Sequence, residues 1–133
     1  MQENPVYEDV VADILKWFSK RIVRLQSEGV KDVIIDPGIG FGKTIGHNFE
    51  ILKRLGEFSV AGLPVLVGVS RKSMIWKTLG ITPDDALNGT AVLNTIALMG
   101  GADIIRVHDV REAVQTIKLV SQLGINKEET KQL

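Results

Sequence analysis

Three short apolar runs in this chain each end in side chains able to do chemistry. Val33-Ile34-Ile35 runs into Asp36-Pro37-Gly38-Ile39-Gly40-Phe41-Gly42-Lys43-Thr44, Val65-Leu66-Val67-Gly68-Val69 into Ser70-Arg71-Lys72-Ser73, and Ile104-Ile105 into Arg106-Val107-His108-Asp109. An ionised aspartate only accepts hydrogen bonds and can take two parallel N–H donors, the pattern that a 2-amino-pyrimidinone edge offers. Pro37 fixes the backbone after Asp36, and the glycines let the main chain approach a flat ligand. Beside this stands a plainer reading, in which Asp36 caps its own loop or pairs with Lys43. The run fails both nucleotide-loop templates. A G-x-x-x-x-G-K-T loop needs glycine where Pro37 stands, and G-x-G-x-x-G needs its third glycine where Lys43 stands.

Ser70-Arg71-Lys72-Ser73 places two cations and two hydroxyls at the start of a helical turn. Helix N-termini disfavour cations, so Arg71 and Lys72 point to a ligand with negative charge or a π surface, against the alternative of a solvated basic turn. Arg106 and His108 are two residues apart, which in an extended strand puts both on one face. A guanidinium fork beside an imidazole makes an anion clamp suited to a phosphate leaving group. His47 reads as serving the start of a helix, Trp17 and Phe18 as core or helix-packing residues, and Trp76 as packing beneath the loop. Asp103 and Asp109 read as helix-end or strand-end caps, and no metal-ligand spacing appears among the acids and the two histidines.

Those tips need elements to hold them. Residues from about Tyr7 to Ser27 space Val11, Leu15, Phe18, Ile22 and Leu25 at three- and four-residue steps, predicting an amphipathic helix that ends at Gly29. The strand Val33 to Ile35, a helix Asn48 to Glu57, the strand Val65 to Val69 and a helical turn Lys72 to Leu79 follow. Thr82 or Asp84 is placed to cap the next helix, Asp85 to Met99, whose apolar residues cover most of its circumference; burial on more than one side is expected. A third strand, Asp103 to Val107, precedes a final helix, Arg111 to Leu123, with Val114, Ile117, Val120 and Leu123 inward. The charged tail Asn126 to Leu133 is expected to fray. Strands separated by helices require parallel pairing, and near-continuous apolar strands imply that both faces are covered. The class is α/β, with ligands expected at the carboxyl ends of the strands whether the sheet is open or closed into a barrel.

With 133 residues, 44% hydrophobic and 24% charged, the chain is one domain at most. Sixteen basic and sixteen acidic residues balance to zero, leaving no global electrostatic case for nucleic acid or a membrane surface. The absence of cysteine excludes disulfides and thiolate metal sites and fits a reducing cytoplasm. No signal peptide is expected from Met1-Gln2-Glu3-Asn4-Pro5, and no segment approaches the roughly 20 apolar residues of a spanning helix.

Asp36 to Thr44 with Asn48, then Ser70-Arg71-Lys72-Ser73, then Arg106-Val107-His108-Asp109, in this order and approximate spacing, resemble the C-terminal part of the dihydropteroate synthase family. The opening Met1-Gln2-Glu3-Asn4-Pro5-Val6-Tyr7 resembles the stretch before that family's fifth helix, so the likeness covers nearly the whole chain. It implies a cytoplasmic folate-pathway transferase on a (β/α)8 TIM barrel, of which this chain carries the C-terminal half from helix 5 through helix 8 and lacks the first five strands. The implied reaction joins 6-hydroxymethyl-7,8-dihydropterin diphosphate to 4-aminobenzoate and releases diphosphate. Carried over, Asp36 holds the pterin edge, and Lys72 bonds the pterin and orders the aminobenzoate site. Arg71 stacks near the pterin, Phe41 lines the aminobenzoate pocket and Ser73 meets its carboxylate, Gly40 is a further substrate-binding residue, and Arg106 and His108 hold the diphosphate. Mg²⁺ is implied through the diphosphate and an asparagine in the missing part. The resemblance also implies a homodimer or higher self-association, with the Asp85 to Met99 helix at the contact. This fragment alone is expected to be inactive; the alternative is a non-catalytic pterin-site or dimerisation module built from half-barrels.

Overall fold

The computed structural model describes residues 7–125; the readings of the opening stretch and of the Asn126–Leu133 tail lie outside the described residues. The first helix, α1, spans Val10–Ser27, with Asp9 as N-cap accepting from the Ala12 N–H at 3.0 Å. That cap starts the helix three residues later than the periodicity predicts. Val11 and Phe18 are buried and Leu15 and Ile22 pack against the core beside them, as the spacing predicts; Ile14 joins them, and Leu25 is half-buried. Trp17 corrects the sequence reading: it is 54% exposed, one position off the buried stripe, and carries Arg21 over its ring at 5.0 Å.

Helix α2, Ile45–Lys53, begins earlier than predicted because Thr44 and His47 form a reciprocal capping box. It also ends earlier. Leu55–Ala61 forms a 3₁₀ helix, whose three-residue period turns Leu55 and Phe58 into the core together, at 2% and 0% exposure.

Strand β1, Leu66–Val67, pairs in parallel with β2, Ile104–Ile105, and a parallel bridge joins Ile35 to Val65. Parallel pairing of all three predicted segments is thus observed, but with much shorter ladders than the apolar runs suggest. On one face Val65, Val67 and Val69 are buried. On the other, Ile34 is 53% and Ile104 38% exposed, so the expected cover on both faces is found on one only.

Helix α3 spans Ser73–Leu79 and buries Met74 and Ile75. Pro83–Asp85 is a 3₁₀ turn, after which α4 spans Leu87–Met99. Neither Thr82 nor Asp84 caps α4, whose N-cap position is Ala86 without a side-chain bond; the Thr82 hydroxyl instead bonds Asp85. Its buried residues, Gly89, Thr90, Leu93, Asn94 and Ala97, share one face. Val92, Ile96 and Met99 are 44–49% exposed, so burial on more than one side is not observed among the described residues. Helix α5, Val110–Ser121, packs on α4 around Ala113, its single buried residue. The inward face predicted for α5 is corrected too: Val114 and Ile117 are each 43% exposed and Leu123 59%, because the short Ala113–Thr116 side makes the close approach to α4. Among the described residues no helix is long and apolar enough to cross a membrane.

Candidate functional site

The register of β1 on β2 continues beyond the ladder and builds the site. Leu66 faces Ile104 and Val67 faces Ile105, an offset of 38 residues. The same offset pairs Val65 N–H with Asp103 Oδ2 at 2.8 Å, the Ser70 hydroxyl with His108, and Arg71 with Asp109. Gly68 and Arg106 also share it: a Cβ on Gly68 would lie 3.3 Å from the Arg106 Nε and Nη2 atoms. Glycine at 68 therefore lets the guanidinium lie flat across the strand end. The bare face of the sheet thus carries Arg106 and His108 in successive layers above Ile104, as period-2 alternation predicts.

Asp36 leaves the first strand segment toward this face. Its Oδ1 accepts from the Gly38 N–H at 2.9 Å, and its Oδ2 lies 3.8 Å from Arg106 Nη2. One oxygen caps the loop, as the plainer sequence reading holds, and the other is turned to the cation across the sheet. Lys43 does not make the alternative hydrogen-bonded pair with Asp36; its Nζ donates to the carbonyls of Gly38 and Phe41 at 2.8 and 3.1 Å. Burial holds the Lys43 amine below the usual lysine range, partly countered by the Asp36 charge.

Lys72 stands at the N-cap of α3 and sends its ammonium across to the Ile39 carbonyl, with the Phe41 ring 5.2 Å away. Burial lowers its pKa first, and the charges of Arg106 and Lys43 lower it further against the pull of Asp36. Gly40, at φ 94°, passes so close that an added Cβ would meet Lys72 Cδ at 3.3 Å. Asp36, Gly40, Phe41, Lys72 and Arg106 are therefore brought together.

Arg71 reaches the same rim but turns away, its guanidinium bonding Asp109 through Nε at 3.2 Å and Nη2 at 2.5 Å. That pair raises the Arg71 pKa and lowers that of Asp109. Both cations of the Ser-Arg-Lys turn thus have partners within the chain, so their placement does not by itself require a ligand. Asp109 occupies the N-cap position of α5 but spends its carboxylate on Arg71 and makes no cap bond. Asp103 clasps the start of β1. Ser73 opens α3, half-buried beside Lys72. His108 is fixed twice by Ser70, whose hydroxyl lies 2.8 Å from Nδ1 and accepts the His108 N–H at 3.1 Å. His47 has the structural role read for it, and Trp76 lies under the loop's neighbour, donating Nε1–H to the Arg71 carbonyl.

Sequence reasoning named Ser70 and Asn48 within its motifs but missed their supporting roles, and that of Gly68. Asn48 is 2% exposed and its Oδ1 accepts the Gly40 N–H at 2.8 Å. The constant 38-residue offset between the second and third tips was the available signal for Ser70 and Gly68.

The arrangement is an open, cationic shelf with one carboxylate, suited to a flat ligand with paired donors and an attached anion. A separate cavity of about 320 Å³ lies at the opposite strand ends between Leu55, Met99, Ile117 and Val120.

A family model described as "Pterin binding enzyme" matches residues 1–108. The dihydropteroate synthase of Escherichia coli (strain K12) is 46% identical over 122 residues, covering 90% of this chain and 43% of that protein. That of Haemophilus influenzae is 45% identical over 121 residues, covering 90% of this chain and 44% of its own length. A crystal structure of Yersinia pestis dihydropteroate synthase superposes with a TM-score of 0.89 at 41% identity, covering 92% of this chain and 51% of that one. The chain spans less than half the length of these curated relatives. With the family match over residues 1–108, the chain belongs to the pterin-binding enzyme family, and the relatives it resembles here are dihydropteroate synthases.

Proposed function

We propose that this chain supplies the carboxyl-terminal half of a (β/α)8 dihydropteroate synthase barrel. The full assembly joins 6-hydroxymethyl-7,8-dihydropterin diphosphate to 4-aminobenzoate. The observation that carries the reading is the meeting of Asp36, Lys72 and Arg106 on the bare sheet face, with Asp36 Oδ2 3.8 Å from Arg106 Nη2. In this proposal Asp36 accepts the paired N–H groups of the pterin edge, and Lys72 donates to the ring from beside Gly40 and Phe41. Arg106 and His108 hold the diphosphate, Arg71 lies along the pterin, and Ser73 meets the aminobenzoate carboxylate.

The chemistry needs no protein nucleophile. The bond from the pterin methylene carbon to the diphosphate oxygen breaks, the arylamine nitrogen bonds that carbon, and the amine loses a proton. Negative charge grows on the leaving oxygen as the bond stretches. Donors already aimed there lower the barrier, because they need no reorganisation at that moment. Magnesium would be held by the diphosphate oxygens and an asparagine from outside this chain, and would supply charge neutralisation there; no step is routed through it.

Mixing the chain with the amino-terminal remainder of the Escherichia coli relative should restore dihydropteroate formation in the mixture and in neither part alone. Lys72→Ala in the mixture should abolish it. Turnover by the chain alone, or a mixture indifferent to Lys72→Ala, would overturn the reading. A second reading, a non-catalytic pterin-site or dimerisation module in the cytoplasm, draws on the exposed Val92, Ile96 and Met99 of α4; it expects pterin binding with no turnover in any mixture.

A further inference from the structure

The pterin reading leaves the buried amide of Asn48 without a role. It lies in the first turns of α2, and its position there is fixed by the Thr44–His47 box: His47 N–H donates to Thr44 Oγ1 at 3.1 Å, and Thr44 N–H to His47 Nδ1 at 3.2 Å. From that anchored turn, Asn48 Oδ1 accepts the Gly40 N–H. Gly40 runs close beside Lys72, where an added Cβ would meet Lys72 Cδ at 3.3 Å, and the carbonyl just before it, that of Ile39, receives the Lys72 ammonium. Ile39 itself is 2% exposed, so the loop is pinned from below by its side chain and from the helix side by Asn48.

We infer that Asn48 is a positioning residue for the site: through the Gly40 N–H it fixes the height of the Gly38–Gly42 loop, and with it the place of the Lys72 ammonium at the pterin edge. Asn48 touches no substrate in this arrangement. Its effect runs through two main-chain groups, the Gly40 N–H and the Ile39 carbonyl. Other parts of the loop have their own ties, Lys43 to the Gly38 and Phe41 carbonyls and Gly38 N–H to Asp36, but none of these bonds holds the Ile39–Gly40 peptide. An amide is suited to the position. Its oxygen accepts the part-buried Gly40 N–H at 2.8 Å, the one side-chain bond to that main-chain donor among the described residues.

The inference rests on the pterin reading for its consequence but not for its geometry, so two measurements separate them. On the intact chain, the Lys72 amine is titrated by ¹³Cε NMR in wild type and in Asn48→Leu, with circular dichroism to confirm folding. The groups facing that amine are Arg106, Lys43 and Asp36. With the loop freed, the amine regains water and its titration should move up toward the ordinary lysine range; Asn48→Ala serves if the leucine variant does not fold. Calorimetry with 6-hydroxymethyl-7,8-dihydropterin diphosphate should show a loss of ten-fold or more for Asn48→Leu and recovery to within about three-fold for Asn48→Asp, which keeps Oδ1. An unmoved Lys72 titration in a folded variant, or equal losses for the leucine and aspartate variants, would overturn the positioning role. A moved titration in a chain that binds no pterin supports the positioning role and overturns the pterin reading instead.

Discussion

Arg71 is the one described non-glycine residue with positive φ, at 55°. Left-handed backbone at such a residue costs on the order of 1–2 kcal/mol and persists only where neighbours over-determine it. Three do: its N–H donates to Thr90 Oγ1 at 3.1 Å, its carbonyl accepts from Trp76, and its guanidinium holds Asp109. The charge pair has a defined pH signature. Arg71 lowers the Asp109 pKa below 3.8, so the pair's stabilisation is fully present above that value and is lost as pH falls through the folded-state pKa. Asp109→Asn should therefore melt below wild type at neutral pH, with the gap closing on the acid side of 3.8; a gap constant down to that limit would show that the carboxylate charge is irrelevant. Sequence alone exposed Arg71 and Asp109 as polar tip residues but not as partners. Reading Asp109 as a cap treated each tip separately, whereas the partners lie on adjacent strands and only their register joins them.

At the scale of elements, the body of α1 was legible from its periodicity, and starts were misplaced where a local bond sets them, as at Asp9 and at Thr44 with His47. The outer faces of α4 and α5 were misjudged for a different reason. Apolar residues such as Val92 and Ile117 suit a covered face, but their type alone does not show that a covering group lies within this chain. One close contact decides how α3 sits on α4. A Cβ built on Gly89 would fall inside the Ile75 Cγ2 atom's contact distance, and Ile75 is only 3% exposed, with no room to retreat. Gly89→Ala gains about 1 kcal/mol of helix propensity but incurs overpacking of about 1–3 kcal/mol. The steric effect should win because the clash is with a buried branched side chain. The variant should melt lower by denaturant unfolding, and Ile75→Val, which removes one methyl, should recover part of the loss. A Gly89→Ala chain as stable as wild type would mean that α3 and α4 can slide apart without penalty.

The whole molecule is a three-segment parallel arrangement with helices on one face, and its consequences follow from what is left bare. Among the described residues no strand pairs with the outer edge of the Ile35 segment or of β2, and Ile34 and Ile104 are exposed beside them. Unpaired edges template further pairing, and apolar surface beside them adds to the attraction. Formal net charge is zero, so no long-range repulsion opposes contact between copies. The chain by itself should therefore self-associate, with a light-scattering mass that rises with concentration. Replacing the edge-side residues by Ile34→Lys and Ile104→Lys should return it toward the monomer, because each new ammonium would have to be desolvated to let a strand dock. If association instead persists in that double variant and is abolished by Val92→Lys with Ile96→Lys, the outer face of α4 is the contact. A monomer in wild type at every concentration would show that neither the edges nor α4 is sticky, and would remove the main physical argument that this sheet seeks a partner to cover its bare face.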